Sequence, residues 1–268
     1  LRDPYWIPGD DTYAPSVAVQ PTTVEQIQQI LTVAGESGIP VWTHSQGRNN
    51  AYGGPSARVG GSISISLRRM NRIIEIDEEM AFAVVEPGVR WLDLDAELRA
   101  RGSNLAVSVP DIGWGSVIGN SLDNGISYMP YGADFMAPCG MEVVLASGEL
   151  LRTGLGAQPG NPSWHLYKRG VGPVLDPLFV QSNYGIVTRM GVWLMPRPEV
   201  YKPLVLTIPE DDQLAQGVDI IRELRLRNTL RGVPSMYNTL MTIGMTGIRE
   251  RIGLSRETFL EPDQVRAL

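Results

Sequence analysis

Residues 45–54 combine the side chains and the backbone freedom that a phosphate-binding loop needs. Three glycines, Gly47, Gly53 and Gly54, allow positive φ angles and a close approach of the backbone to a ligand. Successive exposed N–H groups can then form an anion nest, beside which Arg48 places a fixed positive charge. The loop matches neither Walker A nor the G-x-G-x-x-G dinucleotide motif. It therefore predicts a diphosphate-type ligand, with a plain glycine-rich turn as the alternative.

A second glycine-rich segment, residues 109–120, is suited to grip another part of an extended ligand. Asp111 lies between an apolar stretch and these glycines, and burial there would raise its carboxyl pKa and allow acid or base catalysis. A turn or capping aspartate is the alternative. Tyr128 follows this segment, and its hydroxyl can orient a phenolic or carboxylate substrate. The alternative for Tyr128 is a buried ring with a solvated hydroxyl.

Several other chemistries are disfavoured by the residues present. His44 and His165 have no partner at metal-ligand spacing, so we expect no metal site. No G-x-S-x-G motif occurs, which argues against a serine hydrolase. The net charge of −6 and the lack of a basic patch argue against nucleic acid as a partner. Arg68 and Arg69 are interpreted as solvated charges.

The cysteine content indicates the cellular compartment. The chain carries one cysteine, Cys139, which excludes an intrachain disulfide and fits a reducing environment. We therefore expect a cytoplasmic protein. No apolar stretch in the sequence reaches the length needed to span a bilayer, so we expect no membrane association.

Short strands and amphipathic helices must position the two glycine-rich segments. An apolar run at 39–43 predicts a buried strand directly before the first loop. A hairpin is predicted around Ser147–Gly148, between the segments 141–145 and 149–152. Further strands are predicted at 63–67, 73–76, 82–85, 186–194 and 204–206, and helices at 24–34, 91–98 and 214–224. The mixed order of strands and helices favours an α+β fold over a regular βαβ alternation.

Two prolines, Pro196 and Pro198, indicate a domain boundary near residue 200. The roughly 70 residues that follow are too few to complete a second domain of ordinary size. Residues 262–268 have the pattern of the first turns of a helix. We therefore expect the chain to be part of a longer polypeptide.

Taken in order, these loops and strands resemble the vanillyl-alcohol oxidase / 4-cresol methylhydroxylase family of flavoproteins. The matching segments run through residues 16–200 and continue more weakly to the end. They comprise 40–42, 47–49, 52–54, 84–89, 109–111, 119–120, 131–132, 140–145, 152–154, 172–173, 181–183, 185–188 and 193–196. Within the family, the segments 68–72, 109–116 and 121–125 are most similar to those of bacterial members that oxidise eugenol.

The resemblance implies an α+β, two-subdomain FAD-binding domain of the vanillyl-alcohol oxidase type over residues 1–200, with an N-terminal arm at 1–15. Residues 201–268 would be the incomplete beginning of an α+β cap domain, which covers the flavin and the substrate. The residues implied to bind the cofactor are Ser45, Gln46, Gly47, Arg48, Asn49, Asn50, Gly53, Pro87, Gly88, Pro110, Asp111, Ser116, Gly119, Asn120, Gly125, Glu142, Val143, Ile186 and Val187.

The same resemblance implies an FAD-dependent oxidoreductase that oxidises para-substituted phenols such as eugenol or vanillyl alcohol. A hydride would leave the substrate for flavin N5 and give a para-quinone methide, with oxygen reduced to hydrogen peroxide. Tyr52 would bind the phenolic oxygen, Asp111 would take up a proton and activate water, and Tyr128 would orient the substrate. The alternatives are a dehydrogenase that uses a cytochrome acceptor, and a flavin-binding module that is inactive without its missing half.

The implied cofactor is FAD, bound covalently through a histidine or tyrosine that the resemblance places outside this chain. Neither His44 nor His165 matches the linkage position. The expected partners are a small phenolic substrate and molecular oxygen, and we expect a homodimer.

Overall fold

The computed structural model describes residues 11–48, 54–110, 112–131, 136–170, 172–201, 205–208, 210–238 and 241. Five predicted site residues lie outside the described residues, namely Asn49, Asn50, Tyr52, Gly53 and Asp111. The chain divides into two compact units, residues 1–233 and 234–268. The first unit contains every helix and strand given below, and the predicted boundary near residue 200 stays a prediction.

Within the described residues the chain forms a small parallel sheet, a larger antiparallel sheet, a two-stranded ribbon and four α-helices. The strands are β1 (Val17–Val19), β2 (Val41–His44), β3 (Ile63–Ser66), β4 (Ile73–Asp77), β5 (Phe82–Val85), β6 (Leu105–Ala106), β7 (Pro138–Leu145), β8 (Leu150–Arg152), β9 (Gly185–Trp193) and β10 (Met195–Pro196). The helices are α1 (Val24–Ser37), α2 (Trp91–Ala100), α3 (Val117–Leu122) and α4 (Leu214–Leu226).

The small sheet is parallel, with the strand order β1-β3-β2. Its carboxyl edge includes His44 of β2 and Ser66 of β3, which are register partners. In open sheets with parallel strands, ligands bind in the crevice outside the carboxyl ends of the strands. The first glycine-rich loop therefore leaves the sheet at the edge where a cofactor site is expected.

Helix α1 connects β1 to β2 and packs against this sheet. Thr23 caps its first turn by accepting a backbone hydrogen bond at 3.3 Å, and Gly38 ends it in the left-handed conformation at φ +64°. The buried residues Ile27 and Leu31 pack with Ile65 of β3 in one apolar cluster. The predicted helix is confirmed, and its apolar stripe holds it against the sheet.

The larger sheet is antiparallel, with the strand order β4-β5-β9-β7-β8. The main apolar cluster joins Leu94 and Leu98 of α2 and Ile118 of α3 to buried strand residues such as Val143 and Val187. Removing these side chains from water supplies the dominant favourable term in folding. Helices α2 and α3 are thereby fixed against the strands that precede and follow them.

Most predicted elements lie within a few residues of their expected positions, including the hairpin β7–β8 and the long strand β9. The strand predicted at 204–206 is wrong for Val205 and Leu206, which are exposed and belong to no strand. Cross-strand contacts stabilise a strand, and the described residues offer no pairing partner to this apolar run. Strands β1, β6 and β10 and helix α3 were not predicted because they are too short for periodicity to show.

Helix α4 confirms the predicted helix at 214–224, but none of its residues is buried. Its apolar residues Leu214, Val218 and Leu224 are all exposed. The helix therefore contributes little apolar burial to the first unit. Across the described ranges, no helix combines the length and the apolar character needed to cross a bilayer.

Candidate cofactor site

The first glycine-rich loop begins with a turn that favours glycine. Gly47 has φ +58°, a left-handed conformation that side chains disfavour. A Cβ atom there would lie 2.9 Å from His44 Nδ1 and 3.0 Å from Pro55 Cβ. Arg48 follows and is exposed. The described start of the loop, residues 45–48, therefore has the backbone conformation and the charge that were predicted for an anion site.

Gln46 connects this loop to the turn that follows β5. Its buried side chain donates from Nε2 to Gly88 O at 2.6 Å. Arg68 donates from Nε to Gln46 O at 2.8 Å and so holds the loop backbone. At Gly88 a Cβ atom would lie 2.5 Å from Arg68 O and 2.7 Å from Met70 O. The interpretation of Arg68 as a solvated charge is wrong, because its guanidinium supports the loop.

Helix α3 begins against the same loop. Ser116 donates to Pro87 O at 2.6 Å and accepts from Gly119 N at 3.0 Å. Gly119 lies so close to Ser45 that a Cβ atom would overlap the Ser45 hydroxyl. The structure thus brings together predicted cofactor residues from three separate segments. They are Ser45, Gln46, Pro87, Gly88, Ser116 and Gly119.

Asn120 and Gly125 form a tight turn at the end of α3. Gly125 N donates to Asn120 O at 2.8 Å. A Cβ atom on Gly125 would overlap the side-chain amide of Asn120. The structure therefore brings these two predicted cofactor residues together, directly beyond the contact between Gly119 and Ser45.

The segments that carry two predicted catalytic residues are joined by buried hydroxyls. Ser108 and Ser127 are hydrogen bonded to each other, and both are buried. Ser108 precedes Asp111 by three positions, with the half-buried Pro110 between them, and Ser127 directly precedes Tyr128. Tyr128 is 38% exposed, so its role and the alternative of a buried ring with a solvated hydroxyl both stay predictions. The serine pair ties the segment before Asp111 to the segment of Tyr128, a connection that the sequence analysis missed.

Four predicted cofactor residues lie within the antiparallel sheet. Val143 and Val187 are register partners in the main apolar cluster, and Ile186 belongs to the cluster with α1. The Glu142 carboxylate is buried and pairs with Arg152 Nε at 2.9 Å. These contacts give all four residues a structural role. Their contact with the cofactor stays a prediction.

His44 lies at this site, although its sequence pattern predicts no functional role. It is 9% exposed, and both of its ring nitrogens are buried. Burial, and then the positive charge of Arg68, lower the pKa of His44 to about 4. The imidazole is therefore neutral near pH 7. Its position at the end of a predicted strand was the only signal in the sequence.

The family model described as "FAD binding domain" matches residues 15–154, just over half of the chain. This range spans the parallel sheet, the first loop, the Gly88 turn and α3. The chain belongs to the vanillyl-alcohol oxidase / p-cresol methylhydroxylase family. The predicted family, the α+β FAD-binding fold and FAD as the cofactor are confirmed.

A curated relative, the flavoprotein subunit of 4-cresol dehydrogenase [hydroxylating] from Pseudomonas putida, is 42% identical over 255 residues, or 94% of this chain and 49% of the relative. The solved structure of p-cresol methylhydroxylase with substrate bound matches with a TM-score of 0.89 and 40% identity, over 95% of this chain and 50% of that one. The isoeugenol complex of 4-ethylphenol oxidase from Gulosibacter chungangensis matches with a TM-score of 0.75 and 41% identity, over 80% and 41%. The chain spans about half the length of these relatives.

The residues at the edge of the parallel sheet fit an FAD-binding domain. The left-handed turn at Gly47 and the positive charges of Arg48 and Arg68 suit the negatively charged diphosphate of FAD. The close contacts at Gly88 and Gly119 fix the loop against the neighbouring turn and helix.

Proposed function

We propose that the protein is an FAD-dependent oxidoreductase that oxidises para-substituted phenols at the carbon attached opposite the hydroxyl. The observation that carries this proposal is the 42% identity to a 4-cresol dehydrogenase subunit over 94% of the chain. The TM-score of 0.89 with p-cresol methylhydroxylase supports it independently of local sequence. Both names specify a phenol with an alkyl group in the para position.

FAD, when bound, supplies the acceptor for a hydride from the substrate. The protein binds the phenol, holds it as a phenolate and manages the protons. Tyr52 donates to the phenolic oxygen, where the negative charge of the phenolate lies. Asp111 takes up a proton and activates water, and the Tyr128 hydroxyl orients the ring. Tyr52 and Asp111 lie outside the described residues, so these two roles rest on the resemblance alone.

The finer proposal is an oxidase that acts on eugenol-like or vanillyl-alcohol-like phenols and reduces oxygen to hydrogen peroxide. The match to 4-ethylphenol oxidase in complex with isoeugenol supports it, because isoeugenol is the para-propenyl isomer of eugenol. On this proposal the protein acts in the cytoplasm on a small soluble phenol, as a homodimer.

A dehydrogenase that passes electrons to a separate protein acceptor, such as a cytochrome, is the second candidate. It is favoured by the relative with 94% coverage, which is a dehydrogenase subunit. A flavin-binding module that needs a further polypeptide is the third, because the chain spans about half the length of its relatives.

The decisive experiment follows the flavin spectrum of the purified protein under anaerobic conditions. Addition of 4-ethylphenol, eugenol or vanillyl alcohol is expected to bleach the flavin, because each can form a para-quinone methide. The matched control is the methyl ether of each phenol, which cannot ionise and should leave the flavin oxidised. Bleaching by ethers and phenols alike, or by neither, would contradict the phenol-oxidation proposal.

The acceptor is tested on the same reduced sample. Rapid recovery of the flavin colour on adding oxygen, with one peroxide formed per flavin, is expected for the oxidase. Slow recovery with oxygen and fast recovery with a cytochrome would instead establish the dehydrogenase. Bound FAD that no phenol reduces would establish the module.

A further inference from the structure

The backbone at Tyr128 is held by the hydroxyl of the residue before it. Ser127 is buried, and its hydroxyl is hydrogen bonded to the hydroxyl of Ser108, which is also buried. The same Ser127 oxygen accepts a hydrogen bond from Met129 N at 3.4 Å. One buried hydroxyl therefore contacts the chain just beyond Tyr128 and the segment that leads to Asp111.

Both segments joined by the serine pair are also fixed by apolar packing. Val107 is buried in the main apolar cluster, and Val109 packs against that cluster. Tyr131, which follows Tyr128 in the other segment, packs against the same cluster. A buried polar pair whose members are hydrogen bonded makes its surroundings more rigid. The hydrogen bond between Ser108 and Ser127 therefore sets the position of the Tyr128 backbone relative to the core.

A second element contacts Tyr128 from the segment that follows α4. A Cβ atom on Gly232 would overlap the carbonyl oxygen of Tyr128, which belongs to the backbone and cannot rotate away. Arg225, near the end of α4, holds this segment in place. Its Nη1 lies 3.2 Å from each of the carbonyl oxygens of Leu230, Arg231 and Gly232. The close approach of the two backbones therefore requires glycine at position 232.

These backbone contacts matter because the Tyr128 side chain is 38% exposed. A side chain that protein atoms do not enclose is not fixed by packing on all sides. The position of its hydroxyl then depends more strongly on the backbone that carries it. In an assembled reaction site, a displacement of about 1 Å can slow the reaction by about a hundredfold.

We propose that Ser127 and Gly232 are positioning residues for the oxidation of the phenol. Each fixes the backbone of Tyr128 from a different element, so that the tyrosine hydroxyl orients the substrate ring. Both act through Tyr128 and need no contact with the substrate. This inference rests on the proposed function and on the orienting role that it gives to Tyr128.

The test follows anaerobic flavin reduction by 4-ethylphenol in the FAD-loaded protein, using stopped-flow absorbance. Ser127→Ala removes the hydroxyl and should lower the limiting rate constant by about tenfold, because the orienting group is displaced. The Kd of the phenol should rise by less than about threefold, since most of the binding contacts remain. The dependence of the observed rate on phenol concentration provides both quantities.

Two comparisons separate positioning from a general loss of stability. Ser103 is another buried serine, and its hydroxyl accepts from Leu105 N at 3.2 Å, in the turn after α2. Ser103→Ala should lower the free energy of unfolding and leave the limiting rate constant unchanged. In a Tyr128→Phe background, Ser127→Ala should lower the rate constant by no more than about a further twofold, because both changes act on the same hydroxyl. Independent, multiplying losses would overturn the proposal.

Gly232→Ala tests the same inference at a position outside the core, so the result does not depend on whether Ser127→Ala folds. It should also lower the limiting rate constant by several-fold, because the added Cβ displaces the Tyr128 carbonyl. Gly35→Ala, in α1, is the matched control and should leave the rate constant unchanged. If phenols reduce the wild-type flavin and Gly232→Ala reacts at the wild-type rate, this inference fails and the proposed function stands. If no phenol reduces the wild-type flavin, the proposed function fails and the inference with it.

Discussion

Glycines at the cofactor site differ sharply in the space around them. At Gly88 an added Cβ atom would lie 2.5 Å from the backbone oxygen of Arg68, which cannot move independently of the chain. At Gly35, inside α1, no heavy atom apart from the helix's own neighbouring backbone lies within 4 Å of the corresponding position. The requirement for glycine at position 88 is therefore steric, and position 35 has no such requirement.

This difference predicts opposite effects of the same substitution. Gly88→Ala should lower the free energy of unfolding by about 1–3 kcal/mol through overpacking, and should also weaken FAD binding. Gly35→Ala should raise the free energy of unfolding by up to about 1 kcal/mol, since alanine favours a helix interior more than glycine does. Urea denaturation and FAD titration of the two variants measure both quantities. Equal effects of the two substitutions would contradict the steric account.

His44 makes the stability of the apo chain depend on pH. Its pKa is about 4 in the folded chain, against the ordinary histidine value of 6.5. Between these values the unfolded chain binds the proton first, so the free energy of unfolding falls as the pH falls from about 6.5 to about 4. The full difference corresponds to about 3 kcal/mol. Wild-type apo chain should therefore lose more stability between about pH 7 and pH 5 than His44→Leu does.

The comparison isolates His44 because other groups titrate in both proteins. Burial also lowers the pKa of His165, so His165 contributes pH dependence of the same sign to wild type and variant alike. Urea denaturation at the two pH values provides the four free energies. Parallel losses in the two proteins would show that His44 does not titrate abnormally.

At the scale of elements, a buried carboxylate joins three strands of the antiparallel sheet. Glu142 of β7 accepts from Arg152 of β8 at 2.9 Å and from the Thr188 hydroxyl of β9 at 3.1 Å. Arg189 of β9 lies at 3.7 Å from the same carboxylate. A buried charge of this kind depends on its partners, because removing one side leaves the other without compensation.

Glu142→Gln should therefore lower the free energy of unfolding by about 1–3 kcal/mol. This is less than the cost of breaking a fully buried ion pair, because Arg152 and Arg189 can still reach water. The matched control is Glu149→Gln in the same hairpin, where the side chain is exposed and pairs with the Ser147 hydroxyl. That change should stay within about 0.5 kcal/mol of wild type. Chemical denaturation measures the free energy of unfolding of both variants. Similar losses of stability in the two would argue against the network at Glu142.

At the scale of the whole molecule, stability is concentrated in the two apolar clusters that join helices α1 to α3 to the sheets. Leu98 of α2 is fully buried in the main cluster, whereas Leu224 of α4 is 38% exposed. Helix α4 belongs to the first unit but has no buried residue. The helices therefore differ in their contribution to folding, although α2 and α4 were both predicted from amphipathic sequence.

Leu98→Ala should lower the free energy of unfolding by about 2–5 kcal/mol, because it leaves a cavity in the core. Leu224→Ala should change it by about 0.5 kcal/mol or less. FAD affinity should be unchanged by Leu224→Ala. Thermal or urea denaturation distinguishes the two leucines, and a large loss at Leu224 would show that α4 is packed in solution.

The sequence by itself determined the family, the cofactor and most of the elements that carry the site. These are properties of short segments: the glycines of 45–54 permit a left-handed turn, and apolar periodicity marks α1, β5 and β9. The order of such segments along the chain is enough to indicate an FAD-binding domain, as the match over residues 15–154 confirms.

Only the tertiary structure decided which of these segments meet and which polar atoms remain unsatisfied. Gln46 is hydrogen bonded to Gly88, 42 positions further along the chain. Ser45 contacts Gly119, which belongs to a third segment. Arg68 is typical of a surface charge in sequence, yet it binds the loop backbone. The lowered pKa of His44 follows from burial, and burial depends on residues far apart in the chain. A local pattern cannot reveal such a property, because it arises only when the strands, the loop and α3 are packed together.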